Sequence, residues 1–329
     1  MPTIKISVAM AAYNGERYIL KQLETIRQQS LSVDEVIIMD DGSSDATVDV
    51  VQTYINKYHL DNWHIFQNEK NKGYALNFYE AIKRCSGSLV FLCDQDDLWY
   101  PDKVKIVASL MDAHKDIMSV STSYDLCDAE GEIIPNPGIS HVRTKNDGTI
   151  EHLSLNDFMG TSCVRGCTMC IRKSIIDGEK LYDLKSNLGH DWLLNVYACL
   201  KGKNVYFNRR LSAYRIHQNN SSFSVNEKKA LKSTAEKRIL GLKEELTALK
   251  DLKNRSDIDL KTKKDFINEI RFARCRKNII QNYNIITWIF AIRYFSKYKK
   301  VYGTFKGGIK VYIGDLLYAL EYKKNQNDH

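Results

Sequence analysis

Asp94, Gln95 and Asp96 directly follow the apolar run SLVFLC, and Asp97 extends the cluster. Two carboxylates with one spacer residue can approach one divalent cation, and Mg2+ or Mn2+ prefers oxygen ligands shared between carboxylate and phosphate. A nucleotide diphosphate would complete that shell. On its own the triplet reads more simply as a solvated turn before the helix that follows Pro101. It does not stand alone: Asp40 and Asp41, with Gly42, Ser43 and Ser44, close the run EVIIMD in the same way. Both clusters end strand-like runs, at the sheet edge where open α/β folds place their ligands. Asp45 or Ser44 suits a helix N-cap better than a site.

The elements that must position these residues alternate along the first half of the chain. Strand-like runs IKISVAMAAY, DEVIIMD, WHIFQN and SLVFLCD are separated by helical-period segments GERYILKQLETIRQQ, SDATVDVVQTYINKY and YALNFYEAIKRC. Such alternation specifies an α/β fold with a mostly parallel central sheet and helices on both faces. Pro101 fits the first turn of a helix in PDKVKIVASLMDAH, and another strand is expected near Ile117 to Leu126. The Pro- and Gly-bearing stretch from Asp128 to Asp157 reads as turns and loop. CVRGCTMCI reads as a strand, GHDWLLNVYACLKG as a short helix and NVYFN as a strand. A catalytic domain over residues 1–224 is expected, followed by a basic, mainly helical region over 225–329.

The set VAMAAYNGERYI, VIIMDDGSSDAT, NKGYALNFYEAI and LVFLCDQDDLWYPDKV resembles the N-terminal half of the inverting family 2 glycosyltransferases of the GT-A fold. DQDDLWYPDKV is most similar to the bacterial rhamnosyltransferase-like members. The resemblance covers about residues 4 to 223. It implies that Ala11, Tyr13 and Glu16 line the nucleotide pocket, that Asp41 contacts the base, and that Lys72, Gly73 and Asn77 serve the nucleotide side. Asp94 would face the ribose and Asp96 would hold Mn2+ or Mg2+.

In the second half, Gly189, His190, Asp191 and Trp192 match the family's acidic-aromatic motif, which gives Asp191 the position of the catalytic base. Single displacement does require a carboxylate to take the acceptor hydroxyl's proton. Asp191 could equally cap the helix that follows it. His190 reads as an orienting neighbour on the acceptor side, and Trp192 either stacks on a sugar ring or packs. Tyr214, Arg215, His217, Asn220 and Ser222 resemble the segment after this domain's last strand. Within it His217 is a candidate metal ligand and Arg215 a partner for the leaving diphosphate.

The implied reaction moves a sugar, with inversion, from dTDP-rhamnose or a UDP-sugar to a polysaccharide or lipid-linked glycan acceptor. Other classes fit less well. No G-x-G-x-x-G or P-loop follows the first strand, where A-A-Y-N-G stands instead. A sugar nucleotidyltransferase would need a Gly-rich, Arg-bearing loop there. A non-catalytic glycan-binding scaffold would have lost an acidic position, and all three are present.

Net charge is +8 and uneven: residues 226–329 hold 24 Lys and Arg against 12 Asp and Glu, leaving −4 for the remainder. The basic part reads as a separate surface for an anionic membrane or a second copy of the chain. Interleaved Tyr and Phe favour these over nucleic acid. NIITWIFAIRYFSKYKK has the character of an interfacial helix, and the alternative is a helix packed on the catalytic body. The eight cysteines follow no disulfide-framework spacing, and Cys163, Cys167 and Cys170 have no second ligand pair for zinc. A cytoplasmic protein is expected, peripheral at the inner face of the plasma membrane.

Overall fold

Strand β1 (Ile6–Ala12) buries Val8, Ala9 and Met10 on both faces, as a central parallel strand must. In the computed structural model, which describes residues 4–136, 142–159, 164–179, 189–217, 235–302 and 305–327, it is flanked in parallel by β2 (Glu35–Asp40) and β4 (Leu89–Asp94). β3 (Trp63–Gln67) continues the sheet beyond β2. The connecting helices α1 (Ile19–Arg27), α2 (Thr47–Tyr58) and α3 (Tyr74–Arg84) each turn apolar side chains at three- and four-residue spacing onto the sheet. The register pairs Ala11 with Asp94 and Ala12 with Asp40. Both acidic strand ends therefore finish level with the end of β1.

Beyond β4 the sheet changes character. β5 (Leu98–Trp99) and α4 (Lys103–Ala113) lead into β6 (Ile117–Cys127), β7 (Ile133–Ile134), β8 (Ile150–Leu153) and β9 (Met169–Arg172). Helix α5 (His190–Lys201) then precedes β10 (Lys203–Arg215). The order is β3-β2-β1-β4-β9-β6-β10-β5, with β7 added to β6 and β8 to β10. The long pairings are parallel, β6 with β10 included, whereas β9 is inserted antiparallel between β4 and β6. The expected strand over CVRGCTMCI is shorter than its sequence: Gly166–Thr168 is a 3-10 turn and only Met169 onward pairs. The stretch expected as loop carries β7 and β8, and Asp128 Oδ1 accepts from the amides of Glu130, Gly131 and Glu132 to turn the chain into β7. Pro101 lies just outside α4, before its N-cap Asp102.

Among the described residues five α-helices follow: α6 (Ala235–Lys253), α7 (Leu260–Asn282), α8 (Ile285–Phe290), α9 (Phe295–Tyr302) and α10 (Phe305–Asn327). Asp259 caps α7 by accepting from Thr262 N, and Asn284 caps α8 by accepting from Thr287 N. Ala235, Ile239, Leu242, Leu246 and Leu249 of α6 recur at helical spacing and enter the same apolar core as Trp192, Leu193 and Tyr197 of α5. A second core gathers Phe272, Ile279, Ala291, Tyr298 and Val311. Lys201 and Arg255 both pair with Glu179, tying the start of the helical region to the sheet domain. The expected 224/225 boundary lies outside the described residues.

Among α7, α9 and α10 an ion pair is fully enclosed. Arg276 donates through Nε and Nη2 to the two oxygens of Asp315, each at 2.7 Å, and the Tyr298 hydroxyl donates to the same carboxylate at 2.9 Å. Removing one partner leaves the other charge buried and uncompensated, so Arg276→Ala is expected to cost about 3–5 kcal/mol. Urea unfolding followed by circular dichroism checks this, and an unchanged midpoint would contradict it.

Candidate active site

The loop after β1 is held by side chains from two other strand ends. Gln95 accepts from Tyr13 N and donates to Tyr13 O, each at 2.9 Å. Asn14, in the left-handed region at φ 47°, donates from its amide to Ser43 Oγ and accepts from Ser44 N. Asp40 accepts from the amides of Gly42 and Ser43, closing its own turn. These contacts fix one rim of a cleft of about 520 Å3 lined by Ala11, Tyr13, Asp41, Asn77, Asp94 and Asp96 on this side. That size is typical of small-molecule sites.

Asp41 is buried beneath this rim. It accepts from Lys72 N at 2.8 Å, Gly73 N at 2.9 Å and Asn68 Nδ2 at 2.9 Å. Gly73 adopts φ 89°, a conformation that L side chains rarely take, so the turn that aims two amides at Asp41 needs glycine. Asn68 also donates to Asn77, which donates to Met39 O. Lys72 and Gly73 thus act through their backbone on Asp41 and are not part of the cleft wall. Glu16 does not reach the wall either: its carboxylate accepts from Ala46 N at the start of α2. The helix's unpaired amides draw it there.

On the floor, Asp96 Oδ2 lies 2.7 Å from His217 Nε2, and the imidazole packs on Tyr18 with ring centroids 4.7 Å apart. Asp97 turns inward, accepting from Arg215 N and from the Cys167 thiol. The Arg215 side chain, expected at a diphosphate, is instead fully buried. Nε donates to Asp96 O and Nη1 to Ala129 O, both at 2.7 Å, and Nη1 also donates to Asp128 O at 3.2 Å. Its planar fork matches a ring of carbonyls, so it fastens the acidic turn to the β6–β7 turn.

Burial, then the charges of Asp97, Asp96 and Asp191, pushes the Asp94 carboxyl well above the usual range, while Arg165 opposes the shift. Burial and Asp96 raise Asp97 to about 7. Lys103, buried beneath, has its ammonium pKa lowered by burial; it donates to Cys167 O and lies 4.2 Å from the Trp99 ring centroid. Carboxylates crowded at low dielectric attract a divalent cation, and the site passes that test. Asp94, Asp97 and Cys167 bring ligand atoms within 4.8 Å of one another, and Asp96, between the two acids in the sequence, pairs with His217. Burial raises the Cys167 thiol well above its normal value and keeps it protonated. Oxygen and imidazole donors then dominate, as Mg2+ or Mn2+ prefers.

The opposite wall is the start of α5. Asp191 lines the cleft, its Oδ1 accepting from Trp192 N and its carbonyl from Asn195 Nδ2. Burial and the charges of Asp191 and Asp94 raise the Tyr74 phenol beside it. Successive helical residues point about 100° apart, so Asp191 facing the cleft sends Trp192 inward. Trp192 is only 5% exposed, donates from Nε1 to Phe158 O at 2.7 Å and belongs to the core rather than to a sugar-stacking surface.

His190 remains on the cleft wall, 6% exposed and stacked on Phe78 at 3.9 Å, with neither ring nitrogen hydrogen-bonded among the described residues. Gly166 passes so close that a Cβ there would stand 2.3 Å from His190 Nε2. Burial holds the imidazole pKa down to about 4, so it is neutral at pH 7. Arg165 also lines the cleft, donating to Tyr124 OH and lying 4.5 Å from the Tyr214 ring centroid. Sequence reasoning missed it, because CVRGC was weighed for its thiols alone. Asn220, Ser222 and Cys163 lie outside the described residues.

A mixed, mostly parallel sheet with an acidic strand end and a cleft across it defines the GT-A fold. The profile of glycosyl transferase family 2 matches residues 7–178, and the chain belongs to that family. It is 28% identical over 222 residues to dTDP-rhamnosyl transferase RfbG of Shigella flexneri, covering 64% of this chain and 72% of that protein. Among solved structures, residues 1–349 of TarS from Staphylococcus aureus in complex with UDP-GlcNAc align with a TM-score of 0.61 at 17% identity, covering 99% of this chain and 93% of that one. A mannosyltransferase from Pyrobaculum calidifontis with GDP-Man and Mn2+ aligns with a TM-score of 0.53 at 14% identity, covering 96% and 81%. At these identities the two structures share the fold. The matches span between 51% and 67% of the first curated relatives' own lengths.

His190 yields a pH prediction. An unfolded imidazole gains its proton near pH 6.5, whereas the folded one gains it only near 4. The unfolded state binds more protons between those values, so this contribution to stability is present above about pH 6.5 and lost as pH falls through the window. The raised Asp97 acts with opposite sign over part of the range, so the comparison must be between variants. From about pH 7.5 to about pH 4.5, wild type is expected to lose roughly 2–3 kcal/mol more than His190→Phe. Denaturant titrations at both pH values measure the difference.

Proposed function

We propose that the chain transfers a sugar, with inversion, from a nucleotide diphosphate donor to a glycan or lipid-linked glycan acceptor in cell-surface polysaccharide assembly. One observation carries the reading: the cleft sets Asp94, Asp96 and His217 on one side and Asp191 on a separate helix start. A leaving group and a nucleophile need such separate provision. The donor we favour is dTDP-rhamnose, supported by the name of the Shigella relative, with UDP-sugars next, supported by the TarS complex.

In this reading Ala11, Tyr13, Asp41 and Asn77 enclose the nucleotide, and Asp94 faces its ribose. Asp96 and His217 would hold Mn2+ or Mg2+, which when bound stabilises negative charge on a departing diphosphate; the Mn2+ in the mannosyltransferase complex supports that assignment. Asp191 accepts the proton of the acceptor hydroxyl at its carboxylate as that oxygen attacks the anomeric carbon. One displacement gives inversion without a glycosyl-enzyme intermediate. Neutral His190, whose ring nitrogens have no partner among the described residues, orients the acceptor hydroxyls.

Two substitutions separate the roles. Asp96→Asn is expected to abolish the rise in melting temperature that Mn2+ gives with UDP or dTDP present, and to depress both transfer and slow donor hydrolysis. Asp191→Asn is expected to lower transfer by about 10²–10⁴ while metal-dependent donor binding, read by calorimetry, stays near wild type. Wild-type transfer by Asp191→Asn, or normal metal-dependent binding by Asp96→Asn, would remove the corresponding assignment.

A further inference from the structure

Helix α8 buries none of its residues. Ile286 and Phe290 are 64% and 60% exposed, and Ile292 just beyond is 56% exposed. Helix α10 has a matching face, with Phe305, Ile309, Ile313 and Leu317 at four-residue spacing and all exposed. The two helices are locked side by side. Trp288 and Tyr312 stack at 4.8 Å and exchange hydrogen bonds, Trp288 Nε1 to Tyr312 O and Tyr312 OH to Trp288 O. Phe295 meets Phe305 edge-on at 5.2 Å. The exposed aliphatic and aromatic groups therefore flank a firm seam. Contiguous apolar surface of this kind on a water-soluble face marks an interaction site.

Charge identifies the occupant. Residues 270–314 contain ten Lys and Arg and no Asp or Glu. Arg276 and Lys297 are consumed by Asp315 and Glu269, whereas Arg293, Lys299, Lys306 and Lys310 are exposed. An apolar strip bordered by these cations complements an anionic bilayer, whose acyl boundary takes the strip and whose headgroups take the cations. A second copy docked face to face would set the same cations against one another. No described helix is long and apolar enough to cross a membrane.

We infer that α8 and α10 form a docking surface for the interface of an anionic lipid bilayer. The helical region also joins the acceptor wall: Ile239, Leu242 and Leu249 of α6 share an apolar core with Leu193 and Tyr197 of α5. A bilayer held by α8 and α10 thus lies on the body that borders the acceptor wall. The inference rests on this surface alone and does not depend on the transfer reaction.

Flotation of the full chain with phosphatidylcholine vesicles, with and without phosphatidylglycerol, tests it. The expected result is recovery with the anionic vesicles, loss at high salt, and little recovery with phosphatidylcholine alone. Ile286→Ser with Phe290→Ser is expected to lower partitioning at least about tenfold, and Lys306→Glu with Lys310→Glu to remove the preference for anionic lipid. Both variants should keep the wild-type melting profile and solution hydrolysis of the donor, because none of these residues touches the cleft. Equal recovery with both vesicle types, no recovery with either, or wild-type partitioning by the Ile286/Phe290 variant would overturn the proposal. So would a wild-type dimer in sedimentation that the apolar variant dissolves, which would assign the face to a second copy.

Discussion

Buried Asp94 lies within the fields of three other carboxylates, Asp97, Asp96 and Asp191, where little water remains to screen them. Like charges within several ångströms at reduced dielectric cost far more than they do in solution, and the surrounding structure is arranged against that cost. Arg165 opposes the charge on Asp94, Lys103 lies beneath Cys167, and the protonated Cys167 thiol donates to Asp97. Arg215 grips the carbonyls of Asp96, Asp128 and Ala129. Even the register of β10 serves this purpose. It shifts against β6 between Phe207 and Arg210 and again between Arg210 and Ala213. Such irregularities re-aim a strand, and here they carry Arg215 to Asp97 and His217 to Asp96.

The donor half was legible in the sequence because its information is local. Alternating apolar runs gave the parallel strands, and acids at the ends of EVIIMD and SLVFLC had to meet once those strands became neighbours in register. The resemblance added Asp191, and the structure sets it opposite the acids. What stayed hidden depends on contacts distant in sequence. A buried arginine among carbonyls and an arginine on a diphosphate read alike as a string, and only the folded chain shows Arg215 among carbonyls. Trp192 was ambiguous until the start of α5 fixed which way each side chain of its first turn points. Glu16 looked like a pocket residue because nothing local announces that the unpaired amide of Ala46 lies beside it. The antiparallel insertion of β9 likewise follows from tertiary pairing, not from the pattern of CVRGCTMCI.

Neutrality and exposure are the two properties that sequence conveys least. His190 and His217 are one residue type with opposite situations, the first stacked on Phe78 without a polar partner and the second against Asp96. Likewise NIITWIFAIRYFSKYKK fits a packed helix as well as a surface one by periodicity. The structure divides the segment: Ala291 and Tyr298 are buried in the helical core, whereas no residue of α8 is buried.

The stripe of α6 that enters the core beside Trp192 and Tyr197 has a consequence for how the molecule is made. A ribosome releases the chain from its N-terminus, so β1 to β4 and their helices can gather around Val8, Met10 and Phe91 early. The helix carrying His190 and Asp191 shares its apolar core with Ile239, Leu242 and Leu249, which emerge only after β10. The nascent chain can therefore gather β1 to β4 before α5 is packed, whereas Arg215 and His217 reach Asp96 only with the end of β10. Until α6 emerges, the apolar back of α5 is a natural target for chaperones.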